Sequence, residues 1–141
     1  MIPCNTVHEF HSSLATAVKV PVVNLIEVVV EEVKRRKWKI VFLMATSRTI
    51  QTRLYQESLE KVGVKVVIPE SSDQMRLDSL IQGLLGERTS MDHQQFLERM
   101  VAKSSTTRIL LGCTDLQLLF PSSGDVIDSM HTLVAHTASH A

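Results

Sequence analysis

The chain has 141 residues, 44% of them hydrophobic, and its 15 lysines and arginines are balanced by 15 aspartates and glutamates. That length can bury one sizeable core in a single domain, or one domain and a fragment, and the even charge leaves no basic face for a nucleic-acid backbone. No apolar run approaches the roughly 20 residues of a membrane span, and the start of the chain lacks the charged and apolar regions of a signal peptide, so a cytoplasmic protein with no membrane partner is expected.

In chain order, IPCNTVH at Ile2–His8 sets Cys4 directly after a short apolar run, like a strand ending in a loop. Only Met1, Ile2 and Pro3 precede it, against the usual strand length of about 5 or 6 residues, so this strand is a stub. A helix is predicted from about Val7 to Val18, a strand at Val20–Ile26 and a helix at Glu27–Arg36. Lys39–Ala45 reads KIVFLMA, a strand of the kind buried on both faces, stopping at the polar turn Thr46, Ser47, Arg48, Thr49. The helix expected next carries Ile50, Leu54, Leu59 and Val62 close to one face, with Gly63 as a left-handed cap. Val64–Pro69 is a second strand, and Ser71 with Gln74 has the spacing of a capping box opening a helix that ends at Gly86. A further helix is predicted over Met91–Lys103, then the strand Arg108–Gly112 delivering Cys113. Asp125–Asp128 looks like a short strand end, followed by a helix through His140. Strands alternating with helices in this way imply a parallel sheet with right-handed crossovers.

Cys4 and Cys113 therefore share a setting: a small polar turn at the carboxyl end of an apolar run, where parallel α/β sheets place their reactive groups. In a reducing compartment two widely separated cysteines are read as free thiols. An arbitrary cysteine is more often a packing residue, but two matching contexts point to proton chemistry. The histidines have no shared metal spacing apart from His136 and His140, which lack the glutamate of a zinc helix, so no metal site is read. The basic run Lys34–Lys37 is a solvated helix end favoured by the macrodipole.

Four pieces, IPCNTVH at Ile2–His8, FLMATSRT at Phe42–Thr49 with LYQESLEKVGVKVVIPE after it, LLGCTDLQLL at Leu110–Leu119 and VIDS at Val126–Ser129, lie in an order that resembles the aspartate/glutamate racemase family of cofactor-independent amino-acid racemases. The resemblance implies an α/β protein of two pseudo-symmetric, flavodoxin-like parallel-sheet domains. The first, incomplete at its N-terminus, would comprise residues 1–26 and 126–141 and carry Cys4; the second would be residues 27–125 and carry Cys113. By the family pattern roughly 70 to 80 residues would precede Met1, about half a typical domain. Their absence would leave apolar surface and strand edges exposed around Cys4.

The chemistry implied is racemisation of aspartate or glutamate without pyridoxal phosphate or any other cofactor. One thiolate removes the α-proton and the opposite thiol donates to the other face. Asn5, Thr6 and Thr114, beside the two cysteines, are implied to grip the α-carboxylate, with Thr46 and Thr49 completing the cleft. Small polar residues in turns more often only cap the backbone. Arg48 and Arg88 are the cations, by type, for a distal carboxylate; such arginines are more often solvated. His8 could orient a thiolate or simply cap its helix. A homodimer is expected. Asp115, where the family usually has glutamate, leaves room for a related two-cysteine isomerase or decarboxylase acting on a substrate that is not an amino acid. A third reading is a truncated, inactive remnant acting as a structural or interaction module.

Overall fold

The computed structural model describes residues 1–84, 91–120 and 123–139. KIVFLMA forms β1 (Ile40–Met44), and three shorter strands, β2 (Lys65–Val67), β3 (Ile109–Leu111) and β4 (Val126–Asp128), join it in the order β2-β1-β3-β4, every pairing parallel. Phe42 stands opposite Val67 on one side and Ile109 on the other, and Leu110 opposite Ile127.

The period of two along each strand divides the core between the two faces of the sheet. Val41, Leu43, Leu110 and Ile127 point to a layer made by α2 (Leu25–Arg35), α4 (Leu54–Glu60) and α7 (Ser129–Ser139), where they meet Val29, Val33, Tyr55, Leu59 and Leu133. Phe42, Met44, Ile109 and Leu111 point the other way, to α5 (Ser71–Gly83) and α6 (Met91–Lys103), and meet Leu77, Ile81, Phe96 and Met100. Both faces are covered, as continuous apolar strands require. Among the described residues no helix is long and apolar enough to cross a membrane.

Several expectations are corrected. Met1–Cys4 forms no strand; the chain enters a 3₁₀ turn at Thr6–Phe10 and then α1 (His11–Ala17). Val20–Ile26 is not a strand either. Pro21 has no N–H for a ladder, and Asn24 instead caps α2, its side-chain oxygen accepting from the N–H groups of Ile26 and Glu27. The single helix expected after the polar turn is two, α3 (Ser47–Gln51) and α4, broken where Arg53 adopts a left-handed φ of 55°. Gly63 is left-handed as expected, at φ 75°, but Val62 is exposed because α4 has already ended. The capping box is absent: Glu70 occupies the cap position of α5 and the Gln74 amide is used elsewhere. That helix ends at Gly83; Gly86 lies outside the described residues, as does His140.

At the β4 flank, Arg36 follows α2 and crosses to the strand, where its Nη1 donates to the carbonyls of Gly124 and Val126 at 2.9 and 3.2 Å. Glu32 holds the same guanidinium at 2.6 Å, and Trp38 lies beneath it, with Arg108 also over the indole.

Candidate active site

The carboxyl ends of β1, β3 and β4 converge on one end of the sheet, and the residues that follow each strand are polar. After β1 comes Thr46, which caps α3 by accepting from the Thr49 N–H at 3.3 Å. Its hydroxyl also pairs with that of Thr49 at 3.2 Å, and the fully buried Thr49 hydroxyl pairs in turn with that of Thr6 at 3.0 Å. Three of the expected site threonines are thus joined in one chain of hydroxyls. The turn is propped from below by α5. Asp78 accepts from both the N–H and the hydroxyl of Ser47, and the Gln74 amide donates to the Ala45 carbonyl at 2.9 Å and to Asp78 at 3.0 Å.

After β3 comes Gly112, whose N–H donates to the Met44 carbonyl at 2.8 Å. A Cβ there would lie 2.9 Å from Leu43 Cδ1, 3.1 Å from Ala45 Cβ and 3.2 Å from Tyr55 Cε2, so a side chain at this position would push its neighbours aside. Cys113 follows in extended conformation and opens a 3₁₀ turn at Thr114–Leu118, with Thr114 half-buried at its start. The thiol is 8% exposed and faces Asp115 Oδ2 at 3.8 Å. Burial pushes the Cys113 thiol above its ordinary range and the Asp115 charge adds to the rise, while the backbone N–H groups of Asp115 and Leu116 pull it down. Both cysteines are free thiols, Cys4 half-buried and Cys113 buried.

The Cys4 turn is tied to this end of the sheet. Asn5, 3% exposed, donates from Nδ2 to Ser129 Oγ at 3.0 Å, at the junction of β4 and α7, and its Oδ1 accepts from the Tyr55 hydroxyl at 2.5 Å. Burial carries the Tyr55 phenol far above its usual range, with the Ser129 hydroxyl opposing the rise and the Asp128 charge adding to it. On the other side, the Cys4 carbonyl accepts from His8 Nδ1 at 2.8 Å. His8 stacks on His11, which contacts the Val22 carbonyl at 2.9 Å.

Of the two arginines expected at a distal carboxylate, Arg48 is engaged by Glu9, at 2.7 Å from each carboxylate oxygen to Nη2. Arg88 lies outside the described residues.

The sequence pattern of the family described as Asp/Glu/hydantoin racemase matches residues 1–137. The chain belongs to the Asp/Glu/hydantoin racemase family. Within this racemase family it is 29% identical to the broad specificity amino-acid racemase RacX of Bacillus subtilis (strain 168), over 98% of the chain and 62% of that protein. Its fold superposes on an aspartate racemase homologue from Pyrococcus horikoshii OT3 with a TM-score of 0.77 at 26% identity, covering 98% of this chain and 65% of that one. The aspartate racemase of Picrophilus torridus gives 0.83 at 23% identity, covering 98% and 59%. The chain thus spans about three-fifths of the length of these racemases.

Tyr55, Ser129, Asp78 and Gly112 were not marked by sequence reasoning as parts of the site. For Tyr55 a signal existed: it is the only tyrosine, and it stands at i, i+4 to the buried Leu59. Ser129 and Gly112 lie inside the racemase-like segments VIDS and LLGCT.

Proposed function

We propose that this chain carries the two-thiol machinery of an amino-acid racemase that acts on aspartate or glutamate without pyridoxal phosphate. The observation that supports the reading best is the attachment of the Cys4 turn to the strand ends that flank Cys113, through Thr6 to Thr49 and through Asn5 to Tyr55 and Ser129. Each thiol belongs, in this reading, to one α/β unit, and the substrate lies between them.

Burial raises the Cys113 thiol above its ordinary range, which favours its protonated form and suits it to the role of acid. In one direction the Cys4 thiolate takes the α-proton, forming S–H as C–H breaks, and Cys113 delivers its proton to the opposite face of the carbanion, becoming thiolate. The reverse direction exchanges the roles. Thr114 and Thr46, with the N–H groups of the strand-end turns, receive the α-carboxylate, and the buried Thr49 holds Thr46 in place through its hydroxyl. Arg48 meets a distal carboxylate by exchanging Glu9 for it. The proposal includes a cytoplasmic homodimer.

In deuterium oxide, aspartate or glutamate incubated with the protein acquires α-deuterium, and Cys4→Ser or Cys113→Ser lowers racemisation by at least about a hundredfold. Failure of both amino acids to exchange overturns the assignment. A second reading, a related reaction on a substrate lacking the amino group, is favoured by the hydantoin in the family's description. Turnover of dicarboxylic acids without amino-acid exchange would establish it.

A further inference from the structure

We infer that Tyr55 is a positioning residue for Cys4: its phenol clamps the Asn5 amide against Ser129 and thereby sets the direction of the neighbouring sulfur. In its link to turnover this deepens the proposed two-thiol reaction and rests on it; in its effect on the sulfur it rests on geometry alone.

Among the described residues, 1–4 carry no regular secondary structure. The Cys4 peptide unit is held from two sides. The Cys4 carbonyl accepts from His8 Nδ1 at 2.8 Å, and the next side chain, Asn5, is fixed at both ends of its amide by Tyr55 at 2.5 Å and Ser129 at 3.0 Å. Tyr55 and Ser129 are each fully buried, on α4 and at the start of α7. The clamp is therefore anchored in the rigid layer of the fold rather than in the turn it holds. Packing alone would be served by phenylalanine; a hydroxyl buried at this point needs a partner, and the partner is the residue next to Cys4. Burial disfavours the phenolate, so the hydroxyl keeps the proton that it donates to Asn5.

The same ring couples the two cysteine motifs. Gly112, the residue before Cys113, leaves the space into which Tyr55 Cε2 fits, 3.2 Å from where a Cβ would stand. One aromatic side chain thus rests on the backbone beside one thiol and hydrogen-bonds the side chain beside the other. Asn5, expected from the sequence to contact substrate, has its Oδ1 committed to Tyr55, so its side chain acts first as the element that transmits this constraint.

The test is the rate of alkylation of Cys4 by iodoacetamide, followed by peptide mass mapping with Cys113 as the internal reference. Tyr55→Phe, which keeps the ring, changes the Cys4 rate by about threefold or more and leaves Cys113 within experimental spread; Ser129→Ala, acting on the other end of the amide, shifts Cys4 alone as well. In an Asn5→Ala background, Tyr55→Phe has no further effect, because the constraint it carried is already gone. In racemisation assays Tyr55→Phe lowers kcat about tenfold with KM unchanged. An unchanged Cys4 rate in a folded Tyr55→Phe protein, or the same change with and without Asn5, overturns the inference. If Tyr55→Phe does not fold by circular dichroism, Ser129→Ala alone and in the Asn5→Ala background decides by the same criteria. Absence of α-proton exchange in the unsubstituted protein sinks the reaction, while the thiol rates still judge Tyr55.

Discussion

At the scale of single residues, the site includes a close approach at Gly112 that leaves little room for added atoms. Gly112→Ala would force a methyl group against Ala45 Cβ, which cannot swing aside, and against Leu43 and Tyr55. We expect a loss of about 1–3 kcal/mol in urea unfolding, together with displacement of the Tyr55 ring seen as a changed tyrosine environment in near-ultraviolet circular dichroism. The cysteines, the threonines and Asn5 stand out in the sequence because they sit in short motifs. The Thr6, Thr46 and Thr49 hydroxyls do come together, but Arg48 is met by Glu9 rather than left open. The partners of Asn5 were not legible, because Tyr55 and Ser129 stand 50 and 124 positions away and local pattern carries no information about contacts at that range.

At the scale of elements, α2 shows how a charge cluster fixes a helix to a strand. Glu32 accepts from Arg35 at 2.7 Å and from Arg36 at 2.6 Å, and these bonds hold its carboxyl down from 4.5 to about 2. A carboxyl depressed in the folded state stabilises above its unfolded value and loses that contribution as pH falls through the folded one. Stability measured by denaturant midpoint should therefore decline between pH 4.5 and about 2, and Glu32→Gln should remove that part of the decline at a cost of about 1 kcal/mol at neutral pH. Helices α2 and α6 and strand β1 were readable from apolar period and length. The strand expected at Val20–Ile26 failed because hydrophobicity outweighed two local signals, Pro21 and the Asn24 cap. The break between α3 and α4 was hidden because arginine, not glycine, takes the left-handed conformation at Arg53.

At the scale of the whole molecule, one sheet separates two apolar layers, and neighbouring residues of β3 serve opposite ones: Leu110 belongs to the layer of α2, α4 and α7, Leu111 to that of α5 and α6. Leu110→Ala and Leu111→Ala should each cost about 2–5 kcal/mol. Fluorescence of the sole tryptophan, Trp38, which lies in the first layer, should report both losses equally if the layers unfold together through the shared strands. Separate transitions by fluorescence and by far-ultraviolet circular dichroism would show that they do not. The parallel architecture was foreseeable from strands alternating with helices; the attachment of the Cys4 turn to its far end was not, since that turn contributes no strand. The Arg36 crossing has a consequence for how this molecule behaves in company. On the outer side of β4 the Val126 N–H is taken by the Ser123 carbonyl, the Val126 carbonyl by the guanidinium and the Asp128 carbonyl by the Thr132 hydroxyl. With these three outward-facing groups occupied from within, that margin offers an incoming peptide fewer groups to zip onto, which works against edge-to-edge stacking along β4.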